Sequence, residues 1–239
     1  MIPKTIHYCW FGRGEMPETV KNCIASWHKY MPDYEYKLWN EDGFDVIQNA
    51  YAREAYAAKK YAFVSDYVRL WALEREGGIY LDTDVEVLKP FDDLLGYQAF
   101  AGFEGSKHLP VGTCVIASEA HGAWVSEQLS FYCDRHFVKE DGTFDLTTNV
   151  QFITANMHLR GLVQDGREQD FKDLHVFPVD YFSPRHTTGE YIRTANTYCD
   201  HLGIASWDTA EKDWKSRLMH FFGQKNSARL IKLKRKLFG

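Results

Sequence analysis

Strand-like and helix-like stretches alternate along this chain, which predicts an α/β fold: a sheet with helices on both faces. Three stretches carry that expectation. Residues 5–11 are short, apolar and β-prone, and stop at Gly12. Residues 61–76 place Val64, Val68, Leu70, Trp71 and Leu73 at helical spacing and end at Gly77-Gly78, the residue type that closes helices. Residues 79–81 then form an apolar strand that runs into Asp82-Thr83-Asp84.

The remaining elements come in order. Met16-Pro17-Glu18 opens a helix whose apolar residues Val20, Cys23, Ile24, Trp27 and Met31 recur at helical spacing until Pro32-Asp33 stops it. Residues 34–39 alternate as a second strand, and Asn40-Glu41-Asp42-Gly43 forms a turn. Residues 44–60 read as irregular helix. Beyond the acidic pair, 85–88 is a strand closed by Pro90, and 97–103 and 113–117 are further strands. Helices are expected over 121–137 and, beginning near Thr147-Thr148-Asn149, within 145–162. A short strand at 176–178 precedes a loop over 184–197. No internal repeat or linker interrupts the chain, so one domain is expected over residues 1–224, followed by a distinct tail at 225–239.

Composition narrows the function. The 239 residues carry a net charge of −5, but Lys225, Arg229, Lys232, Lys234, Arg235 and Lys236 fall in the last fifteen positions without an acid. The rest of the chain holds 22 basic against 33 acidic residues, which argues against a nucleic-acid binder. Five cysteines, an odd number without Cys-x-x-Cys spacing, argue against a disulfide framework and a thiolate zinc site. The opening residues lack a signal-peptide layout and no apolar run reaches membrane-spanning length, so a reducing cytosol is the expected compartment. In the tail, Leu230, Ile231, Leu233, Leu237 and Phe238 alternate with the bases. That pattern fits an interfacial helix on the anionic inner face of a membrane, and equally a solvated or packed terminal helix.

The chemistry centres on Asp82 and Asp84. On an extended backbone, residues two apart share a face, so both carboxylates would point the same way; the alternative is a turn with two solvated acids. Burying two unpaired acids costs several kcal/mol each, and a hard divalent cation with oxygen ligands removes that cost. On the preceding helix, Asp66 and Arg69 lie three apart and share a face, either as a surface ion pair or as part of a ligand site beyond the carboxyl ends of the strands.

Taken together, Tyr61-Ala62-x-x-Ser65-Asp66-x-x-Arg69-x-x-x-Leu73-x-x-x-Gly77-Gly78-Ile79-Tyr80-Leu81-Asp82-x-Asp84 resembles the sugar-nucleotide glycosyltransferases with a DXD motif. These include capsular and exopolysaccharide enzymes, Och-type mannosyltransferases and, more distantly, the large glucosylating toxins. The opening Ile2-Pro3-Lys4-Thr5-Ile6-His7-Tyr8-x-Trp10-Phe11-Gly12 and the stretch from Ser26-Trp27 to Trp39-Asn40-Glu41-Asp42 also look like that family. The resemblance covers residues 1–120 and returns at His201 and Ser206-Trp207.

It implies a GT-A-type, Rossmann-like mixed sheet and a retaining, metal-dependent transfer of a hexose from a nucleotide sugar, UDP-linked by expectation. The acceptor would be a polysaccharide or a lipid-linked saccharide. It also implies roles. Trp10 would stack on the nucleobase, against the alternative of a core tryptophan. Asp66 would bond the donor sugar, Arg69 the sugar or its departing phosphate, and Asp82 the ribose and sugar. Asp84, with Asp82 and His201, would hold Mn2+ or Mg2+, and Ser206 and Trp207 would close over the diphosphate. Asn149, Gln151 and residues 109–112 are candidates for the acceptor side, with a helix cap as the alternative for Asn149. Two rival functions remain at this level: an aspartate-nucleophile phosphatase, and a non-catalytic carbohydrate-binding protein at a membrane surface.

Overall fold

A computed structural model describes residues 1–105, 109–185 and 191–204. The expected boundary at 224 and the basic tail lie outside these residues, and Met1–Gly203 forms one compact unit. In chain order its elements are β1 (Thr5–Cys9), α1 (Glu18–Tyr30), β2 (Glu35–Trp39), α2 (Ala50–Ala57), α3 (Tyr61–Glu76), β3 (Gly78–Leu81) and β4 (Val85–Val87). Then come β5 (Ala99–Gly102), β6 (Val115–Ser118), α4 (Ala123–Ser130), α5 (Asn149–Leu159), β7 (Gln169–Phe171), β8 (Leu174–Phe177), α6 (Val179–Phe182) and β9 (Cys199–His201).

Seven strands form one mixed sheet in the order β2-β1-β3-β6-β5-β8-β7, and β4 pairs with β9 in a separate two-stranded ribbon. β2, β1 and β3 are parallel, β6 is antiparallel to both its neighbours, and β5 and β8 are parallel. The carboxyl ends of β1, β3 and β5 and the start of β6 therefore meet along one sheet edge.

Strand alternation sorts the core into two layers. Ile79 and Leu81 face a cluster with Trp27 of α1, Met31 just past its end, Phe100, Val115 and Phe177. Tyr80 faces the opposite cluster, with Val64, Tyr67, Val68 and Leu73 of α3, Ile116 and Val176. Helices thus cover both faces, as expected. The Gly-Gly turn between α3 and β3 has a steric cause. Gly77 and Gly78 adopt φ of +65° and +112°, and a Cβ on Gly78 would sit 2.6 Å from the Thr5 carbonyl oxygen.

The helix expected over 121–137 is shorter, ending at Ser130. There the Ser130 hydroxyl donates to the Glu127 carbonyl at 2.7 Å, offering that oxygen a side-chain donor in place of a continuing helical N–H. Residues 44–60 resolve into a short 3₁₀ turn at Val46–Gln48 and α2.

Candidate active site

The acidic pair is not on an extended strand. β3 ends at Leu81 and β4 begins at Val85, and the Val85 N–H donates to the Asp82 carbonyl at 3.0 Å. Asp82-Thr83-Asp84 is therefore a tight turn at the carboxyl edge of the sheet, which corrects the extended geometry expected from alternation. The two carboxylates converge because neighbouring elements hold the turn from both sides. The Asp82 N–H donates to the Cys114 carbonyl at 2.8 Å, joining the turn to the start of β6. On the far side, Trp27 Nε1 donates to the Val85 carbonyl at 2.7 Å, and Ser26 Oγ accepts the Val87 N–H at 2.9 Å. Ser26 and Trp27 thus act as struts beneath β4.

β9 supplies the third group. It pairs antiparallel with β4, with Val85 opposite His201, and the Leu202 N–H donates to the Asp84 carbonyl at 3.0 Å. His201 Nε2 lies 3.4 Å from Asp84 Oδ1, and ligand atoms of Asp82, Asp84 and His201 all lie within 4.8 Å of one another. Burial disfavours the charged form of His201. Cys114 and Asp84 outweigh it and hold the imidazole well above its ordinary pKa. The carboxylates at this point select positive charge. Two carboxylate oxygens and one imidazole nitrogen could hold a divalent cation.

Arg69 connects this trio to α3. Its Nη2 lies 3.2 Å from Asp66 Oδ1 and 3.3 Å from Asp82 Oδ1. Its Nη1 donates to the Thr113 carbonyl at 2.7 Å and its Nε to the Ser65 carbonyl at 3.3 Å. The guanidinium sits 4.5 Å from the centre of the Tyr80 ring, and the Tyr80 hydroxyl donates to Asp82 Oδ1 at 3.1 Å. Burial works against the Arg69 charge, but Asp82, Tyr80 and Asp66 overcome it and raise its pKa. The pair is no surface ion pair, since the Arg69 side chain is 6% exposed and that of Asp66 11%. Burial pushes Asp66 up to about 6 against the pull of Arg69 and of the Asn149 N–H.

Asn149 stands at the start of α5, but Thr148 is the cap. The Thr148 hydroxyl accepts the Gln151 N–H, and the Gln151 side chain returns to the Thr148 N–H in a capping box. Asn149 is fully buried, donates from its backbone to Asp66 Oδ2 at 3.0 Å and from Nδ2 to the Asp66 carbonyl at 2.7 Å, and accepts the Tyr132 hydroxyl at 2.6 Å. Sequence spacing puts Asn149 and Gln151 on equal standing; the structure ties Asn149 to Asp66 and Gln151 to the cap.

Trp10 follows the end of β1, one strand over from β3 at the same edge. It is half-buried, outside both core clusters, and its Nε1 donates to the Gly14 carbonyl at 2.7 Å. It is thus not a core tryptophan; Trp39 fills that place, stacked on His7. Residues 109–112 fold back on β5, with Gly112 N–H donating to the Gly102 carbonyl at 2.7 Å. Ser206 and Trp207 lie outside the described residues.

Sequence reasoning missed Glu104 and Cys114. Glu104 follows β5, and a Cβ on Gly112 would meet its Oε2 at 2.9 Å. Burial raises its pKa, with Asp82 and Asp84 adding and His201 and Arg69 opposing. Nothing in local sequence marks Glu104; its place depends on β5 lying one strand beyond β6.

An α/β domain with a buried Asp66–Arg69 pair reaching the acidic turn at Asp82 is what fold and site define. Residues 17–101 match the family described as glycosyltransferase sugar-binding region containing DXD motif, so the resemblance read from the motifs is borne out over that segment. Among curated relatives, glucan organizing enzyme 1 of Cryptococcus neoformans is 39% identical over 82 residues, 31% of this chain and 22% of that protein. Inositol phosphoceramide mannosyltransferase 3 of Schizosaccharomyces pombe is 36% identical over 103 residues, 41% of this chain and 29% of that protein. Subversion of eukaryotic traffic protein A of Legionella pneumophila is 26% identical over 180 residues, 61% of this chain and 27% of that protein. The chain therefore spans 22–29% of the length of these relatives. Among solved structures, PaToxG glycosyltransferase superposes with a TM-score of 0.46 at 24% identity, covering 54% of this chain and 59% of that one. Among the described residues, no helix is long and apolar enough to cross a membrane.

Proposed function

We propose that this protein is a glycosyltransferase that moves a hexose, with retention of anomeric configuration, from a nucleotide sugar to a saccharide acceptor. The carrying observation is the shared carboxylate of Asp82, which touches Arg69 on one side and belongs to the Asp82–Asp84–His201 trio on the other. One residue thus links a donor-sugar pocket to a cation site. UDP is the expected nucleotide, and a polysaccharide or lipid-linked saccharide the expected acceptor. Attachment to an anionic membrane through 225–239 belongs to the same reading and is tested by deleting that tail.

Asp82, Asp84 and His201 would hold Mn2+ or Mg2+, and such an ion offsets the charge that grows on a departing diphosphate. The protein's own groups do the rest. Arg69 spends all three guanidinium nitrogens on protein acceptors, so its part is to fix Asp66 and Asp82 in place. Asp66, held by the Asn149 N–H and Arg69, presents a carboxylate to the sugar hydroxyls. Trp10 offers a half-exposed aromatic face at the same sheet edge for the base.

The test is a nucleotide-release screen over UDP- and GDP-sugars, with and without Mn2+, repeated on Asp84→Ala. The expected result is Mn2+-dependent release from one donor that Asp84→Ala abolishes. Turnover of simple phosphate esters without a nucleotide sugar would favour a phosphatase, and glycan binding without metal-dependent nucleotide binding would favour a non-catalytic module.

A further inference from the structure

Sequence spacing argues against a thiolate metal site, yet the fold assembles three soft-to-hard donors from distant positions. Glu104 follows β5, Cys114 precedes β6 and His201 ends β9, and their ligand atoms all lie within 4.8 Å of one another. We propose that Glu104, Cys114 and His201 form a second, softer metal site that takes Zn2+ and overlaps the Asp82–Asp84 site through His201.

The donor chemistry favours this ion. A thiolate, an imidazole and a carboxylate are the ligands of zinc, whereas the Asp82–Asp84 pair offers oxygen alone apart from His201. Zinc bonds of about 2.0–2.3 Å put tetrahedral ligands roughly 3.3–3.7 Å apart, so donors within 4.8 Å need about 1 Å of side-chain movement. Three protein ligands leave a fourth position for water, as in open zinc sites. The thiol is well placed and protected: Cys114 is 3% exposed, and its Sγ lies 3.5 Å from Ser183 Oγ. On binding, the Cys114 S–H bond breaks, an S–Zn bond forms and the proton leaves to solvent; no oxidant or reductant is involved.

The site is mechanically tied to the acidic turn. The Cys114 carbonyl accepts the Asp82 N–H, and the adjacent Thr113 carbonyl accepts from Arg69. His201 already neighbours both Asp84 and Cys114, so an ion that takes it as a ligand beside Cys114 competes with one held beside Asp84. Zn2+ therefore displaces Mn2+ from its third ligand and inhibits. The inhibition rests on the glycosyltransferase reading; the site itself does not.

Co2+ provides a direct readout, because a thiolate ligand gives an intense sulfur-to-metal charge-transfer band in the near ultraviolet. Full-length protein titrated with Co2+ under reducing conditions is expected to develop this band at one ion per chain, and Zn2+ to erase it. Cys114→Ser removes the band, His201→Gln weakens Co2+ binding by about tenfold or more, and Cys133→Ser, at an exposed cysteine, leaves it intact. His201 is partly exposed, so His201→Gln keeps the test open if Cys114→Ser folds poorly. Absence of the band in folded wild-type protein, or its persistence in folded Cys114→Ser, overturns the site whatever the enzyme assay shows.

Discussion

Replacing Arg69 with Met keeps most of the aliphatic stem and removes the guanidinium between Asp66 and Asp82. Arg69 is 5% exposed and Asp66 8%, so the lost charge is not replaced by solvent. Breaking a buried pair from one side costs about 3–5 kcal/mol, because the partner stays buried and uncompensated. The Thr113 carbonyl also loses its side-chain donor, while the Ser65 carbonyl keeps the α3 backbone N–H of residue 69. Against this stand the half-solvated Asp82, 26% exposed at its side chain, and the Asn149 N–H that still bonds Asp66. The expected loss is therefore about 3 kcal/mol, the lower end of that range. It is measured by urea unfolding followed through tryptophan fluorescence. Adding Asp66→Asn to Arg69→Met removes the stranded charge and is expected to recover about 1 kcal/mol or more, a coupling typical of residues in direct contact. A loss below about 0.5 kcal/mol for Arg69→Met, the range of ordinary surface changes, refutes the claim that this pair is a buried strut.

Other expectations rest on the same scaffold. Gly78→Ala puts a Cβ 2.6 Å from the Thr5 carbonyl oxygen at φ +112°, so it should lower the urea midpoint sharply, by more than the about 1 kcal/mol of ordinary glycine changes. His7 is buried and neutral: its Nε2 bonds the Gly77 carbonyl at 2.7 Å, and its Nδ1 accepts the Trp39 indole N–H at 3.1 Å. Burial lowers its pKa, and protonation would set two N–H groups against each other. The stability it contributes is full above the unfolded value of about 6.5 and falls as pH drops toward the folded value. A pH series of unfolding free energies should show that decline in wild-type protein and a shallower one in His7→Gln; parallel curves would contradict it. Thr148→Ala removes a capping box beside Asn149 and should cost about 1 kcal/mol by the same unfolding assay.

The parts legible in the sequence are those fixed by neighbours in the chain. α3 runs from Tyr61 to Glu76 as its apolar spacing and glycine stop require, and β3 begins at once after it. Asp66, Arg69 and Asp82 converge because one helix feeds one strand through a turn that glycine alone accommodates. The hidden parts depend on long-range pairing. Two residues two apart after an apolar strand look extended, and the bond from Val85 to Asp82 that folds them into a turn has no marker in Asp82-Thr83-Asp84 itself. β9 is three residues long and pairs with a strand more than a hundred positions earlier, so periodicity cannot find it. Apart from its family likeness, nothing in the local sequence sets His201 above the nine other histidines. The reversal of β6 inside the sheet hides Glu104 and Cys114 for the same reason.

Every role proposed for the acidic turn depends on Asp84 holding a divalent cation beside Asp82 and His201. Mn2+ titration by electron paramagnetic resonance, in the presence of UDP, tests this most directly, since bound Mn2+ loses the sharp signal of the free ion. One Mn2+ per chain is expected in the wild-type protein, and an affinity at least about tenfold weaker in Asp84→Asn, with unfolding stability preserved. Equal Mn2+ affinity in folded wild-type and Asp84→Asn proteins would contradict it.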